Sequence, residues 1–201
     1  MLTKTDNALL FKAILCVGAA FLLFTYCRSA YDYNQLQKDY RVYKERTDNR
    51  INEMSGIVDA YYVQQSKLSF VKKETECLAK NIYFEAGSEP IEGKIAVAQV
   101  TKNRVKSGKF PSTYCGVIYQ KVDNKCQFSW TCDGKNDTIK APSLYKSALK
   151  IAQDFLIRNK KSAIIDNNVY FYHASYVQPK WSNNLAHVTT IGTHEFYKYG
   201  N

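Results

Sequence analysis

Among the side chains able to move a proton, Glu85 is set apart by its surroundings, because Tyr83 and Phe84 precede it and Gly87 follows closely. Leu78, Ile82 and Tyr83 fall at the spacings of one helical face, and Ile91, Ile95, Ala98 and Val105 repeat the pattern, so two helices are expected. Residues 86–90 join them: Gly87 offers backbone freedom, Ser88 can cap, and Pro90 is tolerated in a first helical turn. Glu85 then sits in the last turn of the first helix, where the carbonyl end carries partial negative charge. That field and the two aromatics disfavour the ionised carboxylate and raise its pKa. A carboxyl group still protonated near neutral pH can deliver a proton to a leaving oxygen, as glycosidic cleavage requires. A glutamate at a helix end is more often simply solvated, so spacing alone does not decide.

Other groups could also carry chemistry. The run Cys126-Gln-Phe-Ser-Trp-Thr-Cys-Asp-Gly places Gln127, Ser129 and Asp133 around Phe128 and Trp130. Sugar sites pair flat apolar faces with directed hydrogen-bonding groups, and a core role for these aromatics is the competing reading. A second carboxylate would come from Glu89, Glu92 or Asp133, none at a decisive spacing. His173, His187 and His194 form no HExxH arrangement, and His173 and His194 read better as hydrogen-bonded sheet residues. No GxSxG elbow occurs. No cysteine pair has zinc-ribbon spacing, so neither a metal nor a cofactor is expected.

Five ordered blocks carry a resemblance: IYFEAGSEPIEGKIAVAQVTKNRV, FPSTYCGVIYQ, CQFSWTCDGK, VYFYHA and TIGTHEFY. They resemble the SleB-type cell-wall hydrolases, the spore cortex-lytic enzymes and their bacterial and phage relatives, from about Cys77 to Tyr197. The resemblance implies cleavage of peptidoglycan glycan strands between N-acetylmuramic acid and N-acetylglucosamine, with Glu85 as acid. One acid without a clear partner points to a lytic transglycosylase; a muramidase, a peptide-side hydrolase and an inactive glycan-binding protein are the alternatives. Tyr83, Gln127, Phe128, Ser129, Trp130, Asp133, Tyr172 and Trp181 are the expected substrate-binding set. In an exported domain, Cys77, Cys115, Cys126 and Cys132 are expected as disulfides, with three connectivities open. The pairing Cys77 with Cys115 and Cys126 with Cys132 is favoured.

The elements that must position these residues follow. Residues 9–26 form an apolar run interrupted by Lys12, just long enough for a bilayer of roughly 30 Å. Lys4 and Lys12 on its N-terminal side favour a cytoplasmic N-terminus with the bulk outside, so residues 1–29 are read as an anchor, with a cleaved signal peptide as alternative. Residues 30–72 recur in Leu36, Tyr40, Tyr43, Thr47, Ile51, Met54, Val58 and Tyr61, a helical spacer that either stands alone or pairs two copies as a coiled coil. Residues 73–201 are the catalytic domain. A third helix is expected over 142–159, a strand over VYFYHA, and one partner strand over 188–197. The expected fold class is therefore α+β: a small, lysozyme-like domain with a helical lobe and a short antiparallel sheet. The net charge of +10 suits an anionic membrane face or wall polymer; no nucleic-acid motif accompanies it, and no nucleic-acid partner is expected.

Overall fold

The computed structural model describes residues 4–159 and 164–200, which divide into two compact units, Met1–Val63 and Gln64–Asn201. Helix α1 (Lys4–Ala86) supplies the first unit and opens the second. In the first unit the side chains described are nearly all exposed, from Phe11 and Phe24 in the apolar run to Tyr40, Ile51 and Tyr61 beyond it. Among the described residues, α1 is the one helix long and apolar enough to cross a membrane, by length and composition.

The second unit mixes helices with a small antiparallel sheet. After α1 come α2 (Ile91–Lys106), the short α3 (Tyr114–Ile118), and a two-stranded hairpin of β1 (Lys121–Val122) and β2 (Lys125–Cys126). Asp123 and Asn124 turn that hairpin with positive φ of 49° and 60°, the backbone that tight two-residue loops demand. Helix α4 (Pro142–Leu156) starts on a proline and buries Ala148, Ile151, Ala152 and Phe155, a single stripe at helical spacing. These pack with Leu78, Ile82 and Ala98 into one core cluster. The sheet follows as β3 (Val169–Ala174), β4 (Leu185–Ile191) and β5 (His194–Tyr199), in spatial order β3-β5-β4.

Three expectations are corrected. The stripe Ile91, Ile95, Ala98 and Val105 is not the buried face of α2: Ile91 is exposed, whereas Gly93, Lys94 and the whole run Ala96–Arg104 are buried. Helix α2 touches α3, α4, β3 and β4, so neighbours on several sides erase the one-face pattern. Pro90 is its N-cap rather than part of its first turn. The segment read as one partner strand is a hairpin, because Gly192 takes a φ of 60° and reverses the chain between Ile191 and His194.

Cross-links and buried polar groups hold the lobe together. Disulfide Cys77–Cys115 joins α1 to α3, and Cys126–Cys132 closes the loop around a short 3-10 turn at Ser129–Thr131. Glu74, buried on α1, accepts hydrogen bonds from the amides of Tyr114 (2.5 Å) and Cys115 (3.4 Å) at the start of α3. A carboxylate at that end meets the positive pole of the short helix.

Candidate active site

Glu85 ends up where two cavities meet. A larger cleft of about 1160 Å³ runs past Tyr83, Phe84, Ser129, Trp130, Asp133 and Tyr176, and a smaller cavity of about 290 Å³ lies beside Arg104, Gln127, Phe128 and Trp181. Glu85, Ser129 and Tyr172 line both. The last turn of α1 carries the glutamate, and the chain leaves the helix one residue later.

The electrostatics of Glu85 are a contest between burial and two partners. Loss of solvent raises its pKa above the ordinary carboxylate value; a hydrogen bond from the Tyr172 hydroxyl to Oε2 (3.0 Å) and the positive charge of Arg104 pull the other way without winning. Tyr172 in turn is held well above the usual phenol range, first by burial and then by the carboxyl group beside it. Arg104 is buried, and burial brings its pKa down to about 10, so it stays a cation at neutral pH. Its Nε donates to the carbonyl of Tyr170 (2.7 Å), and its guanidinium lies over the rings of Phe110, Phe128 and Phe171 at 5.3–5.9 Å. Nη1 has no hydrogen-bond partner among the described residues. A buried cation facing a half-buried carboxyl group stabilises the anion that remains once the proton has left.

The expected binding residues divide between the two cavities and the core. Tyr83 lines the cleft, but its hydroxyl is occupied, accepting from the amides of Lys140 (3.1 Å) and Ala141 (3.0 Å) ahead of α4. Trp130 reaches the cleft edge only; it is 7% exposed, stacks on Phe84 at 4.6 Å, and donates from Nε1 to Asn81 Oδ1 (3.0 Å). Its indole therefore has one face already covered. Phe128 is core, packed beneath Arg104. Gln127 and Trp181 line the smaller cavity, whereas Asp133 lines the cleft and pairs with Lys135 at 3.5 Å.

Of the candidate second carboxylates, Glu92 is exposed on α2 and Glu89 fastens the turn before α2 to the β4–β5 hairpin. Glu89 accepts from the Thr193 amide (2.9 Å) and hydroxyl (2.5 Å), and Lys94 Nζ donates to its backbone carbonyl (2.8 Å). Burial disfavours its charge, but the Thr193 hydrogen bonds, with His194 and Lys94 nearby, outweigh that and hold the carboxyl below its usual range. Neither lines either cavity at Glu85. His173 sits between the Ala174 carbonyl and the Tyr197 hydroxyl, as expected of a sheet residue, while the buried Nδ1 of His194 finds no hydrogen-bond partner among the described residues.

Arg104 and Asn81 escaped the sequence reading of the site. The available signal for Arg104 was its place at the end of the first resembling block, in a helix whose polar run Thr101-Lys-Asn-Arg104 proves wholly buried. Asn81 precedes Glu85 by one helical turn and is fully buried, which local sequence does not reveal.

The second unit is thus an α+β domain, a helical lobe with a small antiparallel sheet, that shelters one acid at the meeting of two cavities. A family model described as cell wall hydrolase matches residues 88–197, more than half of the chain, and the protein belongs to that family. Glu85 stands three residues before the matched stretch begins. The spore cortex-lytic enzyme of Oceanobacillus iheyensis is 41% identical over 140 residues, covering 64% of this chain and 43% of the relative. The Bacillus subtilis enzyme of the same name is 36% identical over 132 residues, covering 63% and 38%. This chain thus spans less than half the length of these relatives. The crystal structure of the catalytic domain of the Bacillus cereus SleB protein is 27% identical, with a TM-score of 0.49, covering 63% of this chain and 91% of that one.

Proposed function

We propose that the protein cleaves the glycan strands of peptidoglycan between N-acetylmuramic acid and N-acetylglucosamine, with Glu85 as the group that moves the proton. The observation that carries this reading is the raised pKa of a half-buried carboxyl group at the junction of two cavities, backed by Tyr172 and Arg104. Membership of the cell wall hydrolase family and the names of the relatives support the same substrate.

In the first step Glu85, neutral, gives its proton to the glycosidic oxygen as the bond breaks and an oxocarbenium-like centre forms. The carboxylate left behind is received by the Tyr172 hydroxyl and the field of Arg104. It then takes the proton from the attacking hydroxyl. With Glu89 tied to Thr193 and Glu92 outside both cavities, one residue does both tasks, which favours attack by the muramyl 6-hydroxyl and a 1,6-anhydro product. Asp133 in the cleft favours the second reading, a muramidase in which water attacks. Mass spectrometry of digested wall separates them: anhydro ends support the transglycosylase, reducing ends the muramidase. Free amino groups with uncut glycan would overturn both.

The first unit fits an anchored enzyme. Residues 1–29 are proposed to cross the membrane, residues 30–72 to act as a helical spacer, and residues 73–201 to work on the wall outside the cytoplasm, in a bacterium or a phage-infected cell.

A further inference from the structure

A third cavity, about 320 Å³, opens on the sheet beside the cleft, and the two share His173, Tyr176 and Val177 as walls. Its carboxylate is Glu195. In the β3–β5 register His173 stands opposite Glu195, and Tyr197 follows two residues along the same face. His173 Nδ1 lies 3.0 Å from the Ala174 carbonyl, its Nε2 lies 3.0 Å from the Tyr197 hydroxyl, and that hydroxyl lies 3.1 Å from Glu195 Oε2.

With a neutral imidazole the proton count of this chain does not close, whereas an imidazolium at His173 would close it. A neutral imidazole has one N–H, and a tyrosine has one O–H. If Nδ1–H serves the Ala174 carbonyl, the Tyr197 proton can go to His173 or to Glu195 but not to both. If Nε2–H serves Tyr197, then Nδ1 and the carbonyl face each other as two acceptors. Either way the network is one donor short. Within 4 Å of Glu195, among the described residues, the ion-pair partner is His187 at 3.6 Å, itself on the surface, and the carboxylate stays 31% exposed. The carboxylate thus stays open on its cavity side to a further donor.

We propose that this cavity binds a primary ammonium group carried on the polymer in the cleft, with Glu195 as counter-ion. The amides of Gln178 and Asn183 offer further acceptors at its wall, and the Tyr176 ring, 87% exposed, offers a face to a cation. The inference rests on the peptidoglycan reading above and names the part of that polymer which the adjoining cavity selects. The ammonium has two sources: an amino acid side chain on a peptide branch, or an amino sugar that has lost its acetyl group.

The test is calorimetry on the full-length Glu85→Gln protein in detergent micelles, which binds without cutting. Four soluble probes are compared: glycan fragments with amine-bearing peptide branches, the same fragments after chemical N-acetylation, peptide-free fragments with deacetylated amino sugars, and those fragments after N-acetylation. At least one amine-bearing probe binds about fivefold more tightly than its acetylated counterpart. Adding Glu195→Gln brings that preference within about twofold, and adding Asn183→Asp instead enlarges it. Which probe gains assigns the source. Equal affinities for amine and acetylated probes, or a preference that survives Glu195→Gln, overturn the inference while wild-type cleavage of wall glycan leaves the function standing. If no probe binds and no wall is cut, the peptidoglycan reading fails and takes this subsite with it.

Discussion

A carboxyl group whose pKa burial raises is a cost to the fold wherever it must ionise. For Glu85 the sign is clear: its folded pKa lies above the ordinary value of 4.5, so stability is fullest below that pH and declines as pH rises through the folded pKa. Glu85→Gln removes the charge without changing the shape. It is expected to lower wall-clearing activity by about 10²–10⁴-fold while melting higher than wild type at neutral pH and level with it in acid, as differential scanning calorimetry will read. Tyr172→Phe separates tuning from chemistry. The Tyr172 hydrogen bond lowers the Glu85 pKa, so its loss lets the acid hold its proton further, and the alkaline limb of kcat/KM moves to higher pH. A limb that stays put or moves down would deny Tyr172 this role. The place of Glu85 in the last turn of α1 was legible because that helix end is set by adjacent residues. Arg104 was not, since it arrives from the next helix and acts through space.

At the scale of elements, the β4–β5 turn is fixed by contact as much as by backbone. A Cβ on Gly192 would run into the Glu89 carboxylate, and its φ of 60° already disfavours any other residue. Gly192→Ala is therefore expected to cost more than about 1 kcal/mol, read as a lower denaturation midpoint at unchanged slope. It should also loosen Thr193 from Glu89, which hydrogen exchange at the Thr193 amide reports. The depressed pKa of Glu89 gives that latch its own pH dependence: its stabilisation is present above the unfolded carboxylate value and is lost as pH falls through the folded one. Helix α4 was readable because one face meets the core and the other meets water. Helix α2 was misread because its surroundings bury nearly all of it, and the hairpin was missed because a single glycine splits what otherwise alternates as one strand.

For the whole molecule, the proposed anchor in the apolar run of α1 would set where the chemistry takes place. The full chain is expected to sediment with phospholipid vesicles and to stay there in high salt, whereas a chain lacking residues 1–29 stays in the aqueous phase; equal partitioning of both would remove the anchor. The sequence by itself determined the features whose causes lie within a few residues or one helical period: the apolar run, the helix that ends after Glu85, the order of helices before sheet, and the family that those motifs mark. Only the tertiary structure decided the environment of each polar group. It turned Trp130 toward Phe84, bound Glu89 to Thr193, brought Arg104 to Glu85, and set His173, Tyr197 and Glu195 in one hydrogen-bonded chain. Burial and hydrogen-bond partners belong to space rather than to spacing, because desolvation and pairing depend on atoms that folding delivers from distant parts of the chain.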